Sequence, residues 1–269
     1  MITCGVAYYI RQLSMYNFAV HNSADNTTSM FMWDESKAGR GASEIGSYSL
    51  KYIDFQTTHH RLKTVTAFCD ACSGQNRNFK TATLLSYLVQ AYCLESITMN
   101  FMQPGHSFLL NDADFGVIEN TKRTAGDVYV PEHWMTVVAN VHKRVPFTVV
   151  DMQPSHFIDL TAMSSQLTNR KKAVDGSSVS WLNIQSIRFT GSSPQVMNFK
   201  PVCDPEAPWL SVDLKKRIRQ KEQIQLVHSA CEKRSLNRLK VNDLQSLKPF
   251  IPPVYHAFYD TILPDTADD

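Results

Sequence analysis

The sequence is short of several features that would assign a class at once. No apolar run reaches the ~18 residues that a helix needs to cross a bilayer, and the N-terminus lacks the basic-then-apolar layout of a secretory leader. The expectation is a soluble, intracellular chain with no membrane partner. Six cysteines in 269 residues are too sparse for a disulfide-stapled secreted domain and fit a reducing compartment. Cys69 and Cys72 make one C-x-x-C pair, half of a tetrahedral zinc site with no second pair to complete it. Cys69 falls inside an expected strand, which favours a packed thiol over a redox-active one. No G-x-S-x-G is present, against a serine hydrolase. No phosphate-cradling P-loop is present either, and there are no internal repeats or low-complexity tracts.

Net charge is only +2, but it is unevenly placed. Between Leu214 and Lys240 stand Lys215, Lys216, Arg217, Arg219, Lys221, Lys233, Arg234, Arg238 and Lys240 against Glu222 and Glu232. A smaller cluster is Arg170-Lys171-Lys172. Such patches attract polyanions, and they equally make solvated helix faces.

What is present is a substantial apolar fraction, 43%, enough for a real core in one large domain or two modest ones. Leu13–His21 and Ser29–Asp34 alternate as strands, with the turn chemistry of Asp25-Asn26 between them, and predict an antiparallel hairpin. A helix follows Gly39-Arg40-Gly41, with Ser43 as a cap and Ile45, Tyr48 and Tyr52 on one face. Thr64–Asp70, a helix over Asn78–Tyr92 and Ser96–Met102 predict a parallel strand–helix–strand crossover. Helices are expected from Asn111 and from Pro131. Beyond Pro146, short strands are expected over Phe147–Met152, Val179–Ile184, Ser186–Thr190 and Gln195–Lys200, then a basic, partly helical segment and a last helix over Asp243–Phe250.

The chemistry-bearing stretch is Phe68-Cys69-Asp70-Ala71-Cys72-Ser73-Gly74-Gln75-Asn76-Arg77-Asn78. It puts a carboxylate at the end of an apolar strand, ahead of a polar turn and a helix. Metal-dependent phosphoryl chemistry needs carboxylates from separate elements to converge on Mg2+, which takes oxygen ligands. Asp70 is the first candidate ligand; its alternative role is to cap the turn. A second acidic segment, Asn111-Asp112-Ala113-Asp114-Phe115-Gly116-Val117-Ile118-Glu119, offers Asp112 and Glu119 on one helix face. About 10 Å of helical rise separates these two, so they do not ligate one ion together. Asp114 points away from that face and is expected to be solvated. Glu44 is a further candidate, with a surface glutamate as its alternative. Gln75, Asn76 and Arg77 suit phosphate or sugar contacts, or simply a turn and a cap. His106 is a candidate proton donor.

Several segments resemble a domain of animal genomes that occurs in proteins derived from DNA transposons. They are Tyr8-Tyr9-Ile10-Arg11-Gln12-Leu13, Trp33-Asp34-Glu35 through Gly39-Arg40-Gly41 and Glu44-Ile45, Asp70 through Asn78, Gly105-His106-Ser107 through Asp112 and Ile118-Glu119, Pro146-Phe147, and Pro252-Pro253-Val254-Tyr255. The resemblance implies an α/β, ribonuclease H-like mixed sheet with flanking helices over 1–145 and a small, mostly β appendage with a basic tail over 146–269. It implies an ancestral Mg2+-dependent DNA cleavage and strand-transfer activity, a nuclear location, and a metal site of Glu44, Asp70 and Asp112, with Glu119 as the alternative to Asp112. It also places the first acid on a strand ahead of Tyr8-Tyr9, where the sequence has only Met1 to Ala7 and no carboxylate. The expectation is therefore an N-terminally shortened relic of a catalytic domain, inactive for want of that acid, with Asp34 as a conceivable substitute. A sheet edge left open by the missing strand would invite a protein partner or a second copy. The alternative is a domesticated module that binds DNA or protein without chemistry, using Gln75, Asn76, Arg77, Lys215, Lys216 and Arg217.

Overall fold

A computed structural model of the chain describes residues 9–103, 105, 108–142, 144–169, 171–215 and 223–265. In chain order these form β1 (Met15–Asn22), β2 (Thr27–Asp34), α1 (Ala42–His59), β3 (Thr64–Cys69), α2 (Phe79–Ala91), β4 (Ser96–Phe101), α3 (Leu110–Lys122), α4 (Pro131–Ala139), β5 (Thr148–Asp151), α5 (Leu160–Ser165), β6 (Ser186–Thr190), β7 (Ser193–Lys200), β8 (Leu210–Asp213), α6 (Arg238–Ser246) and α7 (His256–Asp260). The chain is a mixed α/β protein with two sheets. It divides into two compact units, neither of them contiguous: residues 1–39, 110–155 and 230–269 in the first, 40–109 and 156–229 in the second. The strands after Pro146 join sheets that begin before it.

The first unit is built on a three-stranded sheet of order β1-β2-β5. β1 and β2 form the expected hairpin, from Met15↔Asp34 to Asn22↔Thr27. Its turn works because Asn26 tolerates a positive φ of 56° and Asp25 accepts from the Thr27 N–H at 3.1 Å. β5 adds parallel to β2, with Met32 opposite Asp151. Alternation then sorts the side chains. Met30 and Met32 face a core with Ile118, Met135, Val138 and Phe147. Trp33 faces the other way and stacks on Phe18 at 5.1 Å. A second small core gathers Val241, Leu244, Leu247, Ile251, Tyr259 and Ile262 from the C-terminal helices.

The second unit is a five-stranded sheet of order β3-β4-β6-β7-β8. β3 and β4 are parallel, joined by α2; the later strands are antiparallel. The helix stripe Leu84, Leu85, Leu88 and Val89 packs on Ile97, Phe101, Ile187, Phe189 and Met197 of the sheet. Each fully buried leucine or isoleucine here contributes roughly 2 kcal/mol. α1 and α5 lie close because Gly46 has no side chain: a Cβ there would meet Leu160 Cδ1 at 2.6 Å. α2 starts where Asn78 accepts from the Thr81 N–H at 3.0 Å, and α5 where Asp159 accepts from Thr161 and Ala162.

Several expectations are corrected. Val179–Ile184 holds no strand; a 3-10 turn, Trp181–Asn183, occupies it. The last long helix begins earlier, at Arg238, and stops at Ser246, ahead of a 3-10 turn at Lys248–Phe250. Ser43 does not cap α1; the N-cap is Gly41. Of the basic segment, 216–222, with Lys216 and Arg217, lie outside the described residues, and 223–237 contain no helix. Among the described residues no helix is long and apolar enough to cross a membrane.

Candidate functional site

β3 delivers Asp70 to the carboxyl end of a parallel strand pair, the end at which open α/β sheets bind ligands. Burial along β3 alternates as expected, and Asp70, just past its end, is exposed. The loop that follows closes tightly on one carbonyl: Cys72 O accepts from the N–H groups of Gln75, Asn76 and Arg77 at 3.2, 2.8 and 3.1 Å. Asn76 Nδ2 reaches back to Asp70 Oδ1. Asp70 Oδ2 has no hydrogen bond among the described residues.

The same loop is tied to the start of α1. Gln75 Nε2 donates to Arg40 O at 3.1 Å, and the next residue, Gly41, donates its N–H to Glu44 Oε2 at 2.8 Å. That bond is half of a capping box and steadies the first turn. One turn further, Tyr48 is pushed up by burial and then by the neighbouring Cys69 and Asp70. The Cys69 thiol is pushed up to about 12 by burial and by Asp70, which fits the packed, unreactive thiol expected of it. Asp70 and Glu44 thus stand on the two sides of one junction, the β3 end and the α1 start. Arg77 leaves the turn with its Nε buried and without a hydrogen-bond partner among the described residues. Asn78 is spent on structure, capping α2 and donating to Ser73 O at 3.0 Å.

The other acids belong to the first unit. Asp112, in the first turn of α3, and Glu119 are exposed. Glu119 pairs with Lys122 at 3.6 Å, and both line a largely apolar pocket of about 430 Å³ with Tyr129, Trp134 and Phe258. Asp34 is buried at 1% exposure, and its Oδ1 accepts from the N–H (2.9 Å) and the hydroxyl of Ser36. Among the described residues no three His, Cys, Asp or Glu side chains gather to hold a metal ion. His106 lies outside the described residues.

One buried polar cluster escaped sequence reasoning. Asp114, expected in solvent, has a side chain only 13% exposed and accepts from His21 Nδ1 at 3.1 Å. The Thr28 hydroxyl donates to the same Oδ2 at 2.9 Å. His21 and Thr28 face each other across the hairpin, so Asp114 fastens α3 to β1 and β2. The available signal was spacing: Asp114 lies one turn before Ile118, the residue that α3 buries.

The basic residues also divide. Lys215 follows β8 in the second unit, its N–H donating to Asp213 Oδ1 at 2.9 Å. Lys233, Arg234, Arg238 and Lys240 belong to the first. There Lys240 pairs with Glu35 and Lys233 donates to the Thr261 hydroxyl at 2.9 Å. Comparison of the chain with protein-family models, curated proteins and solved structures gave no match.

Proposed function

We propose that the chain is a ribonuclease H-like relic of a metal-dependent DNA-cleaving and strand-transferring domain, with Asp70 and Glu44 as the remnant of its metal centre. The observation that carries this reading is the junction itself. The loop that follows Asp70, at the carboxyl end of a parallel strand pair, is bonded through Gln75 to Arg40 O, just ahead of the helix whose first turn carries the second carboxylate, Glu44. The donors suit Mg2+, which takes carboxylate oxygens, and Asp70 Oδ2 is uncommitted to any hydrogen bond among the described residues. When bound, the ion would polarise a phosphoryl oxygen and activate water. Glu44 and Asp70 would hold it, and Asn76 would keep the Asp70 carboxylate oriented through Oδ1. The resemblance calls for a further acid beside these two; among the described residues no third acid gathers with them, and the relic is taken as inactive. Its site of action would be nuclear DNA.

A second reading is a domesticated DNA-binding module without chemistry. Gln75, Asn76 and Arg77, on the loop between β3 and α2, would meet phosphate or sugar. Lys215, Lys216 and Arg217 would add backbone contacts. Plasmid nicking and DNA binding are to be measured on the same preparation. The relic is expected to show no Mg2+-dependent nicking, with binding that weakens as salt rises. Neutralising Lys215, Lys216 and Arg217 should flatten the log–log salt slope by about 0.9 for each phosphate that is no longer neutralised. Mg2+-dependent nicking that disappears in Asp70→Asn would mean a working nuclease. No binding even at low salt would remove DNA from the account.

A further inference from the structure

The pocket of about 430 Å³ in the first unit falls within the size range of small-ligand sites. Its walls are tied in place from several sides. Pro131 pre-sets the first turn of α4, which carries Trp134. The Tyr259 hydroxyl donates to Tyr129 O at 2.5 Å, and the Tyr129 ring stacks on Tyr255 at 5.5 Å. Arg11, just ahead of the lining residue Leu13, donates to Asp243 of α6 at 2.8 Å. Walls that are already ordered spare a ligand the cost of ordering them. The rings of Tyr129, Trp134 and Phe258 line the space, which favours a ligand with a flat ring of its own.

Two charges share the lining, Glu119 and Lys122, one turn apart on α3. They stand 3.6 Å from each other, with side chains 67% and 41% exposed. That separation is longer than a hydrogen bond, and an exposed pair of this kind is weak, so both groups can still take up a partner. A lone cation drawn to Glu119 would meet the like charge of Lys122 beside it, and a lone anion drawn to Lys122 would meet Glu119. A ligand that carries both charges in the reverse order satisfies the two at once. An α-amino acid is such a ligand, because its ammonium and carboxylate sit on one carbon, about as far apart as the pair on α3. We infer that the pocket binds a free aromatic α-amino acid, with its ring among Tyr129, Trp134 and Phe258, its ammonium at Glu119 and its carboxylate at Lys122. The pocket belongs to the first unit and Asp70 and Glu44 to the second, so this inference does not depend on the metal reading.

The test is titration of the full isotope-labelled chain with L-phenylalanine, followed through amide chemical shifts, beside three analogues. Phenethylamine lacks the carboxylate, hydrocinnamate the ammonium and L-alanine the ring. The expected result is saturable shifts at residues 119, 122, 129 and 134 with a dissociation constant of about 1 mM, the affinity open to so small a ligand. Loss of either ligand charge should weaken binding about fivefold, the worth of an exposed ion pair at its upper end, and loss of the ring should abolish it. Lys122 is exposed, so Lys122→Gln keeps its fold, to be checked by circular dichroism. That variant should bind L-phenylalanine about fivefold more weakly and phenethylamine more tightly, because the cation no longer meets a like charge. The absence of shifts at tenfold the expected dissociation constant overturns the inference. So do shifts centred away from the pocket, or equal binding of the three aromatic compounds, since the charges on α3 would then recognise nothing.

Discussion

Removing the Asp114 carboxylate is the sharpest test of the packing in the first unit. In Asp114→Ala the Thr28 hydroxyl, on a residue 5% exposed, and His21 Nδ1, on a side chain 10% exposed, lose the carboxylate they share and keep only each other, at 3.0 Å. A hydrogen bond to a charged partner contributes about 1.5–3 kcal/mol, and leaving a buried donor unmet costs a similar amount. Both bonds end on the same oxygen, so their losses do not add. The expected destabilisation is about 2–4 kcal/mol. Urea unfolding followed by tryptophan fluorescence is a suitable assay, because Trp33 and Trp134 belong to the same unit as the cluster. The midpoint should fall while the slope stays unchanged. A double-mutant cycle with Thr28→Val should return a coupling of about 1 kcal/mol. A loss below about 0.5 kcal/mol in Asp114→Ala, or no coupling, would show that the cluster does not fasten α3 to the hairpin.

Two further outcomes follow from side-chain environments. At pH 8 iodoacetamide should label the exposed Cys72 readily and Cys69, pushed up to about 12, far more slowly; equal labelling in peptide mass spectrometry would contradict the packing of Cys69. Burial pushes Tyr259 up to about 12 from 10, so the unfolded chain ionises first as pH rises. The stability from this residue is complete below pH 10 and is lost as pH climbs towards 12, by about 2 kcal/mol. In Tyr259→Phe that part of the alkaline loss should vanish from the pH profile of urea midpoints.

Local structure was legible wherever a short pattern decides it. The hairpin followed from alternation and an Asp-Asn turn, α2 from its leucine spacing and Asn78, and β3 from its alternating faces. Long-range pairing was not legible. β5 aligns with β2 across more than a hundred residues, and β6 with β4, because a strand's own sequence fixes which face is apolar and not which strand lies beside it. Short elements such as α5, α7 and β8 carry too little periodicity to be seen. On α3 the face read as functional, with Asp112, Gly116 and Glu119, is the exposed one, whereas Asp114 faces inward with Ile118. The basic tail was read as one surface, but Lys240 and Lys233 are tied to Glu35 and Thr261. At the site, the position of Asp70 at a strand end was legible from sequence. The Gln75–Arg40 bond that joins its loop to the Glu44 helix was not, since it depends on tertiary contact.

The claim that Asp70 and Glu44 are the remnant of a metal centre is tested most directly by Mn2+, an oxygen-seeking paramagnetic stand-in for Mg2+, titrated into the isotope-labelled chain. The account predicts that amide signals of residues 44, 70 and 76 broaden first, and that Asp70→Asn abolishes the effect. Broadening centred on another part of the chain, or none at millimolar Mn2+, would contradict it.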